Sequence, residues 1–87
     1  MIGQNSLNYK PKFILILSAN GILNYSFFPD LSSAQQRLGQ EYQSFCEIQS
    51  VEPQDEHWID DRSCYASIET KFGTSARLSG EIAEIPS

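Results

Sequence analysis

The sequence predicts a small α+β domain of the order ββαββ, an antiparallel sheet with one amphipathic helix packed on one face. Three observations carry this. An Asn20-Gly21 pair sits between two apolar, β-rich runs. Apolar residues then recur at steps of three and four from Leu31 to Ile48. Beyond residue 62 the apolar period shortens to two. These are the signatures of a hairpin, a helix and half-buried strands.

Residues 1–11, with Gln4, Asn5, Ser6, Asn8 and Pro11, read as a loose lead-in, and 12–87 as a single domain. The first strand is Lys12 to Ala19 and the second Ile22 to Phe28. A type I′ turn needs positive φ at both central residues, which Asn tolerates and Gly adopts freely. Its two-residue loop fixes the register: Ala19 opposite Ile22, Leu17 opposite Asn24, Leu15 opposite Ser26, Phe13 opposite Phe28. One hairpin face then holds Ile14, Ile16, Leu23, Tyr25 and Phe27, almost wholly apolar, and is expected to face the core. The other mixes Phe13, Leu15, Leu17 and Phe28 with Asn24 and Ser26. It is the expected patch for a homodimer.

Pro29 closes the second strand. Ser32-Ser33-Ala34-Gln35 has the spacing of a capping box. Leu31, Ala34, Leu38, Tyr42, Phe45 and Cys46 or Ile48 form one helical stripe, and the helix is expected to stop before Pro53. Gly39 in its middle suggests a close helix–sheet approach. Residues 51–62 read as an acidic connection carrying His57, Trp58 and Ile59. Cys64, Ala66, Ile68 and Thr70 alternate with Tyr65, Ser67 and Glu69 as a half-buried strand. Gly73-Thr74 reads as a turn. Ala76, Leu78 and Ile82 suggest a last strand, with Gly80 at a bulge.

Eighty-seven residues and 9.8 kDa make one domain that buries about two-thirds of its unfolded surface. Five Phe, four Tyr and one Trp supply a core without disulfides or metal. No signal-peptide pattern opens the chain, and its longest apolar run, Phe13 to Leu17, is too short to span a bilayer. A cytoplasmic location and reduced Cys46 and Cys64 are therefore expected.

The formal charge is −5 and is unevenly spread. Residues 41–61 hold Glu41, Glu47, Glu52, Asp55, Glu56, Asp60 and Asp61 with no Lys or Arg. Such a segment is repelled by phosphate backbones and anionic membranes, which argues against direct nucleic-acid binding. It suits a protein partner with a basic surface, though acidity also simply favours solubility. The expected contact residues are Glu47, Glu52, Asp55, Glu56, Asp60 and Asp61, with Trp58 and Tyr65 as aromatic anchors. Trp58 and Ile59 also fit a plug closing one end of the core.

No cofactor or metal motif is present. Asp55, Glu56, His57, Asp60 and Asp61 lack the EF-hand spacing, and one His with two distant Cys fits no zinc pattern. A Cys64–His57 nucleophile pair, oriented by Asp60 or Asp61, lacks an accompanying oxyanion pattern, so a thiol-dependent enzyme is the last of three functional readings. The first is a non-enzymatic inhibitor of a nucleic-acid-handling protein, of antitoxin-like or phage anti-defence type. The second is a homodimeric interaction module. Phe28-Pro29-Asp30-Leu31 resembles the FPDL segment of HicB-type antitoxins. In that family a further strand precedes the helix, whereas here Ser32-Ser33-Ala34 begins a helix almost at once. The resemblance covers four residues and implies no functional residue.

Overall fold

The structure is a computed structural model that describes residues 10–69 and 75–86. Most of the expected lead-in and the Gly73-Thr74 turn lie outside the described residues. Six elements follow in order: β1 (Phe13–Ala19), β2 (Ile22–Phe28), α1 (Leu31–Ile48), β3 (Glu56–Ile59), β4 (Ser63–Glu69) and β5 (Ser75–Glu84). The strands form one antiparallel sheet in the order β2-β1-β5-β4-β3, so the expected ββαββ gains a strand after the helix.

The first hairpin has the register its turn dictates, with Ala19 opposite Ile22 and Phe13 opposite Phe28. Asn20 and Gly21 have φ of 53° and 86°, both left-handed, as a type I′ turn requires. Asn20 also ties the turn to β5: its Oδ1 accepts from the Arg77 N–H at 2.8 Å, and its own N–H donates to the Arg77 carbonyl at 2.9 Å.

The core face is the reverse of the expected one. Leu15 and Leu17 are 1% and 8% exposed, whereas Ile14 and Ile16 are only half-buried and Tyr25 is 57% exposed. The reason lies in β5. Opposite Leu15, Leu17 and Ala19 it sets Ile82, Gly80 and Leu78; opposite Ile16 and Ser18 it sets Glu81 and Ser79. A helix laid over the second face would bury the Glu81 carboxylate, a large desolvation cost. β4 agrees, adding Cys64, Ala66 and Ile68 to the core and Tyr65 and Ser67 to the other side. Leu15 and Leu17 are thus covered by α1, and the Phe13–Leu15–Leu17–Phe28 patch expected to join a homodimer is core.

Helix α1 packs over β4, β5 and β1 and reaches β2. Ala34 and Leu38 are buried, with Leu31, Tyr42 and Phe45 against the same cluster. Cys46 completes the stripe half-buried, while Ile48 is 76% exposed. The cap is Asp30, two residues before the expected Ser32: its Oδ1 accepts from the Ser33 N–H at 2.7 Å. At the far end Ser50 takes a φ of 54°. Its N–H donates to the Glu47 carbonyl, and that of Val51 to the Cys46 carbonyl. These two bonds are a Schellman closure with Ser where Gly is usual.

The close helix–sheet approach is at Gly80, not Gly39. A Cβ on Gly80 would lie 2.8 Å from Leu38 Cδ1 and 3.0 Å from Leu17 Cδ2, whereas one on Gly39 meets nothing within 4 Å. Gly80 makes no bulge: β5 pairs without a break to β1 and β4. No helix among the described residues is long and apolar enough to cross a membrane.

Candidate functional site

Among the described residues the sheet has helix on one side only, and the chemistry-bearing surface is the other side. Pairing lines up a row across all five strands: Leu23 on β2, Ser18 on β1, Ser79 on β5, Tyr65 on β4 and Trp58 on β3. Beside it stand Tyr25, Ile16 and Glu81. Trp58, 47% exposed, stacks on Tyr65 with ring centroids 6.4 Å apart and an interplanar angle of 29°. Trp58 is therefore no core plug. A shallow depression of 320 Å³ lies here, lined among others by Ile16, Ser18, Leu23, Trp58, Tyr65 and Glu81.

Trp58 belongs to a strand that the acidic connection conceals. β3 has four residues and pairs Trp58 with Tyr65 and Ile59 with Cys64. Asp60 closes the β3–β4 hairpin: Oδ1 accepts from the N–H groups of Arg62 and Ser63, at 3.0 and 2.8 Å, and from Ser63 Oγ at 2.9 Å. Those donors hold its carboxyl below the usual range. At the other end of β3, Asp55 Oδ2 accepts from the Glu52 N–H at 2.8 Å.

The expected contact residues divide accordingly. Glu56, Trp58 and Tyr65 share the helix-free face, by strand alternation. Glu52 and Asp55 lie before β3, and Asp60 and Asp61 after it, so these acids line the margin of the sheet that β3 forms. Asp55 and Asp60 are engaged in shaping the backbone there. Glu47 stands apart on α1, where its carboxylate accepts from Gln43 at 3.2 Å. Glu41 is paired with Arg37 at 2.8 Å. Arg62 lies over the Phe13 ring, 5.8 Å from its centroid, on the helix side. The sequence reading places Leu23, Tyr25 and Ile16 in the core, and the one local signal against it is Glu81 alternating with Gly80 and Ile82 along β5, which needs the β1–β5 register to be used.

The structure places the Cys64 thiol in the core and His57 beside Tyr42. Cys64 is buried beneath α1, and burial first, with Cys46 and Asp60 nearby, pushes its pKa up to about 11. It is a neutral thiol at neutral pH, where a nucleophile needs thiolate. His57 Nδ1 is hydrogen-bonded to Tyr42 Oη at 2.9 Å. Burial, with Cys46 and Cys64 beside it, raises the Tyr42 hydroxyl above its ordinary value. Both cysteines are free, and no group of three or more His, Cys, Asp or Glu converges as metal ligands among the described residues. Comparison with protein families, curated proteins and solved structures finds no match.

Proposed function

We propose that this chain is a non-enzymatic module that docks on a basic protein surface through the β3 half of its helix-free sheet face. The observation that carries the reading is the stacked Trp58–Tyr65 pair, Trp58 exposed and Tyr65 half-buried, on the same face as Glu56, with Glu52 before β3 and Asp61 after it. An aromatic pair offers large contact area with little side-chain entropy to lose. The carboxylates around it steer a cationic partner and set its orientation. Proteins that grip nucleic acid carry basic surfaces of this kind, and an acidic module bound there competes with phosphate. This favours an inhibitor of a nucleic-acid-handling protein.

The test is retention of proteins from cells encoding the chain on immobilised wild type and on Trp58→Ala, at roughly 0.1 M and 1 M salt, where the Debye length falls from about 10 to about 3 Å. The expected result is a basic protein held by wild type at low salt, released at high salt and not held by Trp58→Ala. It should lose its nucleic-acid binding when the chain is added. Retention indifferent to both salt and Trp58 overturns the reading.

A further inference from the structure

The hairpin at the opposite margin of the sheet is free of charge. From Phe13 to Phe28 there is no Lys, Arg, Asp or Glu, in a chain of formal charge −5. β2 is an outer strand, with β1 on one side and no strand on the other among the described residues. Alternate residues of such a strand aim N–H and C=O groups outward, a ready template for another strand. Proteins blunt such edges with short strands, charges, proline or bulges. β3 carries two of these devices, since it has four residues and acids at both ends. β2 carries none: it runs seven residues in unbroken register, without charge or proline, and Ile22, Leu23 and Tyr25 are all more than half exposed.

Charge decides the occupant. Two chains of charge −5 repel each other, so copies approach best where neither is charged. A basic partner finds nothing on β2 to pair with and is drawn to β3 instead. We infer that β2 pairs antiparallel with β2 of a second copy, about a two-fold axis at Asn24, giving a continuous ten-stranded sheet.

The register follows from the turn. A two-residue loop makes Ala19 and Ile22 exchange both their hydrogen bonds, and Leu17 with Asn24 likewise. Leu23 and Tyr25 are then the residues that bond outward. An axis at Asn24 sets Leu23 of each copy against Tyr25 of the other, exchanging N–H and C=O, with their apolar side chains on the helix-free face. The two Asn24 side chains meet at the axis, Cα atoms about 4.5 Å apart, where amides can hydrogen-bond and like charges repel. The acidic β3 margins end farthest apart. This inference stands independently of the docking reading, and salt separates them: screening strengthens the dimer and weakens a basic partner's hold.

The experiment is sedimentation equilibrium of the full chain as wild type, Asn24→Lys, Asn24→Asp and an equal mixture of the two variants. Alongside it, amide hydrogen exchange is read at Leu23 and Tyr25 of wild type at low and high concentration. The expected results are a wild-type dimer that tightens with salt, weaker association of each variant alone, recovery in the mixture, and concentration-dependent protection of both amides. A wild-type chain that stays monomeric to its solubility limit overturns the inference. So does a dimer indifferent to charge at residue 24, or one that leaves those amides unprotected.

Discussion

Two glycines separate what backbone freedom does from what space does. Gly80 has three side chains within 3.1 Å of where its Cβ would stand, two of them, Leu17 Cδ2 and Cys64 Sγ, from the strands on either side. Adding that methyl overpacks the helix–sheet interface, which costs about 1–3 kcal/mol. Gly39 has open space around it, so the same change removes only the helix penalty of glycine and gains about 0.5–1 kcal/mol. Urea unfolding of Gly80→Ala and Gly39→Ala should therefore show opposite signs; two stabilising changes would mean that Leu38 does not seat on Gly80. From sequence, Gly39 draws the close approach that belongs to Gly80, and Gly80 draws a bulge that β5 does not have. Nothing local to Gly80 announces a helix crossing above it, because Leu38 is 42 positions away in the chain.

At the scale of elements, local signals are legible in the sequence and contested ones are not. The first hairpin was fully legible, register included, because Asn20-Gly21 alone sets it. The helical stripe was legible too. Strand β3 was hidden because four residues among carboxylates show no period. The helix start was misplaced because Ser32 and Asp30 both suit a cap, and only the β-region backbone of Asp30 (φ −147°, ψ 165°) distinguishes them. Asp30 and Asp60 now make a joint prediction. Hydrogen bonds from Ser33 to Asp30, and from Arg62 and Ser63 to Asp60, hold both carboxyls below their ordinary value of 3.8. Lowered folded-state values mean that this stability is complete above pH 3.8, the unfolded value, and is lost as pH falls below it toward the folded values. The urea midpoint of wild type should drop through that acid window, and that of Asp30→Asn/Asp60→Asn should drop less. Equal slopes would show that neither carboxylate is held by the folded chain.

Across the whole molecule, one choice governs function: which face of the sheet the helix covers. The hairpin sequence alone pointed the wrong way, since its greasier face looks like the core. The decision rests with β5, 59 to 71 positions beyond its partners on β1 and carrying Glu81 opposite Ile16 and Gly80 opposite Leu17. That long-range pairing turns Trp58, Tyr65, Leu23 and Tyr25 outward together and gives the molecule an acidic margin at β3 and an uncharged one at β2. Both proposals depend on it. The most direct measurement is the pair of unfolding free energies for Leu15→Ala and Tyr25→Ala, taken at low protein concentration with Trp58, the lone tryptophan, as reporter. Leu15→Ala should lose about 2–5 kcal/mol at a buried position, and Tyr25→Ala less than about 1 kcal/mol at an exposed one. Equal losses, or a larger one at Tyr25, would put the helix on the other face and contradict the account.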